Sequence, residues 1–427
     1  MASPDVIIIG AGLAGLCCAR RLQTAGVSFQ ILEASDGIGG RVRTDSVDGF
    51  LLDRGFQVLL TAYPEAAAQL NYDALQLGAF DPGAIVRYAG AFFPLRDPWR
   101  GGNFLSALRN PVGKLGDKWK VMKLRGKLAR KALEDIFSEP ETTTFQALKN
   151  LHFTNAMIDR FFRPFLGGIY LDSQLSVSSR MFEFVLKMMA EGDTALPAGG
   201  MGAIPQQLAD GLPADSIRLN TRVAAISGKT VELESGETIS AEAVVVATEG
   251  PEANRLTGLE PALGSRSVFC LYFSAPEPPY LEPMLTLNGG GHGIINNLCV
   301  PSQIQPSYAP ENRALVSVSV LGGAHRDMRT METVVRDQLK RWYGLVVTEW
   351  KLLHIYRIAH ALPALTSVEW QLPNQIQPGL YVCGDHRGTP SIQGAMESGR
   401  LAAEDVLAAR SPAAPAAAAV PPSATDN

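Results

Sequence analysis

Long apolar runs are missing from this chain. No stretch reaches the ~18 uninterrupted apolar residues of a membrane-spanning helix, and Met1 leads almost at once into the strand-like run Val6–Ile9. The expectation is therefore no transmembrane anchor and no signal or transit peptide. Cysteine is scarce: there are five, an odd number, with no CxxC pair and with Cys17 and Cys18 adjacent. That pattern excludes a disulfide framework and a zinc site, and reduced thiols point to a cytoplasmic location. An excess of one charge is also lacking, since 38 Lys and Arg against 42 Asp and Glu leave a net charge of −4. So small an imbalance implies no nucleic-acid partner. What is present is 427 residues with 46% hydrophobic content, enough for a large core and, at roughly 150 residues per domain, two or three units.

Residues 6–9 read as a fully buried parallel strand, 13–25 as a helix ended by Gly26, and 27–32 as a second strand. This order is the nucleotide-binding half of a doubly wound sheet. From about 103 to 196 helical patterns dominate, which suggests an inserted helical subdomain. Residues 218–226, 230–234 and 243–247 restore short strands, the last returning to the first sheet. Runs 268–273 and 315–321 alternate like a second sheet, with a helix near 330–342. A buried strand at 380–383 and a helix rich in small residues at 392–408 close the pattern. The tail after Arg410, rich in Ala and Pro, reads as disordered.

Gly10, Gly12 and Gly15 form GxGxxG after the first strand. The first glycine allows the tight turn, the second lets backbone approach a pyrophosphate, and the third lets helix and strand pack closely. Leu13 and Ala14 open the helix whose free N–H groups face the phosphates. Glu33, followed by Ala34, ends the second strand and suits the ribose hydroxyls of an adenosine. A 2′-phosphate would be repelled there, so NADP is disfavoured. Gly39, Gly40 and Arg41 then place a second loop and a cation where they can wrap the same diphosphate.

At this point the sequence resembles the flavoprotein superfamily of monoamine oxidase, protoporphyrinogen oxidase and the phytoene desaturases, whose N-terminal FAD signature is GxGxxG…E…GGR. The far end, GLYVCGDHRGTPSIQGAMESGRLAAEDVL, is similar to that family's C-terminal flavin motif. The resemblance implies that Asp385, after Gly384, holds the ribityl chain, and that Gly394 and Ala395 let a helix N-terminus approach flavin N1 and O2. Softer likenesses place Gly55, Phe56 and Gln57 near the ring, assign 196–209 to the return toward the FAD domain, and pair the Val223 backbone with adenine. The implied fold class is α/β: a Rossmann-like FAD-binding domain of GR2 type, with an interleaved α+β substrate domain and a helical subdomain. The FAD-binding parts would be 1–75, 197–255 and 373–410. The substrate parts would be 76–196, mainly helical, and 256–372, a sheet, with 411–427 a disordered tail.

Two features of the family's amine oxidases are absent. Their strand lysine falls on Phe269 here, and a cage tyrosine falls on Ser391. No cysteine occurs in 359–367, so FAD is expected to be noncovalent. The expected substrate is a small, hydrophobic molecule of polyisoprenoid or porphyrinogen kind. Phe161, Phe162, Phe165, Phe182 and Phe184 are candidates to line a tunnel, or are ordinary helical core. Nine basic residues against Asp117 alone between Arg109 and Lys131 leave two readings open, peripheral contact of 109–131 with an anionic membrane or a solvated helix face. Lys351, Arg357 and His360 are candidates for handling protons, though His360 reads rather as a packed structural histidine. No catalytic residue and no metal site can be named. The leading reading is an FAD-dependent desaturase, oxidase or isomerase. The alternatives are an amine oxidase with an atypical site and a prenyl-binding protein of the Rab GDP-dissociation inhibitor type, the latter expected to have degraded phosphate motifs.

Overall fold

The computed structural model describes residues 3–96, 111–259, 264–322, 327–369 and 372–410. The expected tail 411–427 and the start of the basic stretch, Arg109 included, lie outside them.

Val6–Ile9, all β-branched and buried along its length, occupies the middle of a six-stranded sheet. The strand order is Ile217–Arg218, Phe29–Leu32, Val6–Ile9, Ala243–Val246, Leu380–Val382 and Gln375–Gln377, parallel except for the last pair. Such two-faced apolar strands need cover on both sides. Val6 and Ile8 face the helices Leu13–Thr24 and Ile392–Arg410, while Ile7 and Ile9 join Val244, Val246 and Val382 on the other face. The first and last helices cross at Gly399, where a Cβ would lie 2.0 Å from the Ala14 carbonyl oxygen. Both ends of the chain therefore close one layer.

A second, seven-stranded sheet runs Lys351–Pro363, Ser265–Ala275, Ala314–Leu321, Ile295–Cys299, Leu285–Leu287, Gly83–Tyr88 and Ala91–Arg96. Its two faces differ in chemistry. Phe269, Leu271, Phe273, Val316, Val318 and Val320 pack under the helix Met328–Tyr343. The other face carries Cys270, Tyr272, Ser317, Ser319 and Asn297. The helical insertion spans Leu115–Leu128 to Ser179–Glu191, with a π-helical turn at Ile158–Phe162 feeding Arg163–Tyr170.

Three local expectations change. The run 218–226 is not one strand: Asn220, at φ +51°, turns the chain, so that Ile217–Arg218 edges the first sheet and Val223–Ser227 begins a separate antiparallel sheet. The second strand starts at Phe29 rather than at 27. The hairpin Gly83–Tyr88 and Ala91–Arg96 falls within 76–196, the part expected to be mainly helical, and it carries Pro94 in its second strand. At the sheet edge, where the second strand of the hairpin lies, proline is tolerated.

Candidate functional site

The phosphate turn has the geometry that its spacing requires. Gly10 sits at φ +104° with its Cβ position 3.0 Å from the Ala247 carbonyl oxygen. A Cβ on Gly15 would lie 2.0 Å from the Gly10 carbonyl oxygen, whereas one on Gly12 would meet nothing within 4 Å. The helix Leu13–Thr24 starts at Gly12 with no side-chain cap, so its first N–H groups, at Leu13 and Ala14, remain available to an anion. Glu33 is held in place: one carboxylate oxygen accepts from Ala11 N–H at 2.7 Å, and the other from Ser35 N–H at 2.8 Å and Ser35 O–H at 2.7 Å. Gly39 (φ +101°) and Gly40 (φ +58°) bring the second loop against Gly12.

Arg41 and Asp385, 344 residues apart, bind each other. The guanidinium donates to the two carboxylate oxygens at 2.8 and 2.7 Å and to the Ala361 carbonyl at 3.0 Å. Arg41 is thus engaged with the acid of the C-terminal motif rather than standing free for a diphosphate. Although burial opposes the charge, the Asp385 carboxylate holds the Arg41 guanidinium above its ordinary pKa.

One cavity of about 620 Å³ joins these elements. Gly10, Gly12, Leu13, Ala14, Glu33, Ala34, Gly39, Gly40, Arg41, Gly55, Phe56, Gln57, Val223, Gly384, Asp385 and Ala395 all line it. Gly15 and Gly394 do not. Gly15 serves helix–strand packing as its spacing implied. Gly394 departs from its expected place: its N–H is spent on Ser391 Oγ at 3.1 Å, and the Thr389 carbonyl oxygen lies 2.0 Å from its Cβ position, so it shapes the turn behind the wall. Val223 reaches the cavity with its carbonyl already accepting from Arg255 at 2.9 Å.

The lining suits a dinucleotide with a polar ring. Gln57 donates its amide to the carbonyls of Arg41 and Arg54 at 2.8 and 3.4 Å, which fixes its orientation and leaves Oε1 buried without a partner. An orphaned acceptor of this kind calls for a donor from a ligand. Open space before Gly12, the uncapped helix and the anchored Glu33 supply the rest of the cradle.

Beyond the dinucleotide half, the cavity is lined by Leu60, Tyr63, Phe165, Ile169, Met181, Val185, Met189, Leu285, Asn297 and Ser319. Of the five phenylalanines, only Phe165 faces it. Phe161 stacks on Phe165 at 5.3 Å, and Phe162, Phe182 and Phe184 are core. Phe269 points away, under the far helix, and Val268 is the residue of its strand that lines the cavity. Because strand side chains alternate, a one-residue misplacement changes the face. No lysine is among the lining residues, and Ser391 stands in the wall as expected. Lys351, Arg357 and His360 are exposed on an edge strand and do not reach the cavity; His360 is therefore not a packed histidine either. None of the five cysteines, all buried, lines it.

Three residues escaped the sequence reading. Tyr63, 6% exposed, stacks on Phe184 at 5.8 Å and reaches Ser391 with its hydroxyl, which burial holds well above the usual phenol range. Asp53 accepts from Thr44 O–H (2.6 Å), Met201 N–H (2.9 Å) and Tyr308 O–H (2.9 Å), so it pins segment 196–209 beneath the strand that leads to Gly55. Burial pushes its carboxyl up to about 6. His386, 3% exposed, has no partner on either ring nitrogen, and burial depresses it to about 4. No sequence signal marks any of the three, since each depends on a contact between distant segments.

A family model described as flavin containing amine oxidoreductase matches residues 13–407. The chain is 24% identical to the mitochondrial protoporphyrinogen oxidase of Nicotiana tabacum, with 94% of each chain covered. It is 25% identical to the hydroxysqualene dehydroxylase of Rhodopseudomonas palustris, over 95% of this chain and 99% of that one. Among solved structures, an oxidoreductase from Methanosarcina mazei superposes with a TM-score of 0.71 at 19% identity, covering 94% of this chain and 99% of the other. That last likeness concerns the fold. The prenyl-binding reading finds no support in these matches, nor in the intact phosphate turn.

Proposed function

Starting from a chain that belongs to the family of flavin-containing amine oxidoreductases and is an FAD-dependent oxidoreductase, we propose that it takes a hydride from an apolar substrate of polyisoprenoid or porphyrinogen kind. The observation that carries this is the continuity of one cavity from the glycine turn to the apolar wall of Phe165, Ile169, Met181, Val185 and Met189. When bound, FAD supplies a ring that accepts a hydride. The protein would hold it with the glycine turn and uncapped helix on the diphosphate, Glu33 on the adenosine ribose, Asp385 on the ribityl chain, and Gly55, Phe56 and Gln57 along the ring. The apolar wall would exclude water and orient the C–H bond. A charged amine finds little in the apolar half to shed its proton: no lysine is among the lining residues, and of the lining acids Glu33 and Asp385 are already bonded, Glu252 is paired with Arg255, and Glu249 follows the first-sheet strand Ala243–Val246. The chain division given above fits this reading, with 1–75, 197–255 and 373–410 holding FAD and 76–196 with 256–372 holding substrate. Anaerobic mixing of FAD-loaded protein with a porphyrinogen, a linear polyisoprenoid and a diamine, followed by flavin absorbance, tests it. Bleaching by either of the first two is expected, and bleaching by the diamine alone overturns it.

The finer proposal concerns delivery. In the helix Leu115–Leu128, Trp119 (60% exposed) and Leu115 (55%) stand out among exposed Lys114, Lys123 and Lys127. The one acid, Asp117, is turned inward to cap Lys114 N–H and Thr154. An aromatic anchor ringed by lysines suits the headgroup region of an anionic bilayer, where each lysine contributes about 1 kcal/mol. Sedimentation with phosphatidylglycerol vesicles should exceed that with phosphatidylcholine and fall in W119A/K123E. Equal sedimentation with both lipids rules this contact out.

A further inference from the structure

The sheet wall of the cavity carries a polar patch in otherwise apolar surroundings. Asn297 and Ser319, neighbours on adjacent strands, are 3% and 5% exposed, and both line the cavity. Their hydrogen bonds fix which atoms face inward. Asn296 donates its amide to the Pro164 carbonyl at 2.9 Å and to Asn297 Oδ1 at 2.9 Å, so Asn297 must turn its Nδ2 the other way, toward Ser319 Oγ at 3.4 Å. Gly168 makes room for this arrangement: a Cβ there would come within 2.9 Å of Asn296 and 3.1 Å of Asn297.

An amide nitrogen has two hydrogens and a hydroxyl has one. One Asn297 hydrogen goes to Ser319, while the second, and the Ser319 hydroxyl hydrogen, have no acceptor among the described residues. Buried donors left unmade are costly, so the patch is built for an acceptor oxygen brought by a ligand. The cations lining the cavity favour a neutral one. Arg41 is paired with Asp385, Arg43 with Asp36, Arg54 with Asp45, and Arg222 with Glu234. A carboxylate would enter the apolar half without a counter-charge.

We infer that Asn297 and Ser319 form a specificity patch that binds a hydroxyl or carbonyl oxygen of the substrate. The substrate is then an oxygenated polyisoprenoid rather than a hydrocarbon or an acid, which sets aside the porphyrinogens, whose side chains are carboxylates. This rests on the proposed function and narrows its substrate class. It is tested by titrating FAD-loaded protein with farnesol, farnesene and farnesoic acid and following the flavin spectrum. Farnesol should perturb the spectrum at about tenfold lower concentration than either of the others, as one or two hydrogen bonds predict. S319A, a change small enough to preserve the fold, should reduce that preference, and N297L should abolish it while FAD stays bound. Equal titration by farnesene and farnesol overturns the patch but leaves the apolar-substrate reading standing. Tighter binding of the acid, or a preference that survives both variants, also overturns the patch. No spectral response to any of the three also overturns the patch, while the apolar-substrate reading stands or falls on the anaerobic mixing with porphyrinogen, polyisoprenoid and diamine.

Discussion

At the scale of single residues, Asp53 controls more than its position beside the cavity suggests. Its carboxyl, ordinarily near 3.8, is raised by burial to about 6. Between those values the folded protein keeps a proton that the unfolded chain has released. Asp53 therefore favours folding least above about pH 6, and its contribution improves as pH falls toward 4. The two-unit gap corresponds to about 3 kcal/mol. Asp53→Asn keeps an acceptor for Thr44 and Met201 and removes the titration, so its stability should rise relative to wild type as pH increases from 4 to 7. Parallel stability profiles in thermal unfolding would show that Asp53 ionises as an ordinary carboxylate. The phosphate-turn glycines separate two kinds of damage. Gly15→Ala drives a methyl into the Gly10 carbonyl, so the apoprotein should lose thermal stability. Gly12→Ala has space for its methyl, so the apoprotein should keep its melting temperature while FAD affinity drops at least tenfold through lost approach of backbone to phosphate. Equal effects of both changes on the apoprotein would contradict this division.

At the scale of elements, the joint between the second glycine loop and the C-terminal motif is the Arg41–Asp385 pair. Removing one member leaves the other charge poorly solvated, since Asp385 is 5% and Arg41 29% exposed in their side chains. Asp385→Asn should cost about 2 kcal/mol of stability and should lower FAD affinity. The double change with Arg41→Gln should be milder than the sum of the single changes. A double-mutant cycle in urea denaturation measures this, and strict additivity would rule the joint out. Elements also mark what could be read beforehand. The first strand, turn, helix and second strand were legible because glycine spacing, β-branched runs and Glu33 all act locally. The Arg41–Asp385 pairing was not, because no local pattern says which cation meets which acid across 344 residues. Phe269 shows another limit. Sequence places a residue on a strand, but only the register says which face it takes. The alternation of Val and Ser in Ala314–Leu321 was visible, yet only the fold turns Ser319 toward a cavity and Val318 toward a helix.

At the scale of the whole molecule, the walls of the cavity come from residues 9–63, 165–189, 221–252 and 268–395. A ligand that touches all of these stabilises them together. FAD at about 100 times its dissociation constant should add about 2.7 kcal/mol to unfolding and should raise one cooperative melting transition without splitting it. A FAD-dependent shift confined to part of the unfolding curve, with a second transition unmoved, would mean that the substrate half folds on its own.

The strand Leu380–Val382 and the acid just past it enter the first sheet last in chain order. During synthesis, the groove lacks one wall until Leu380–Val382 and Asp385 have left the ribosome. The growing chain cannot load its flavin before then, and it must carry an exposed Val246 edge while residues 247–379 are made. A cell short of riboflavin would therefore accumulate finished but empty protein, rather than chains stalled halfway through folding.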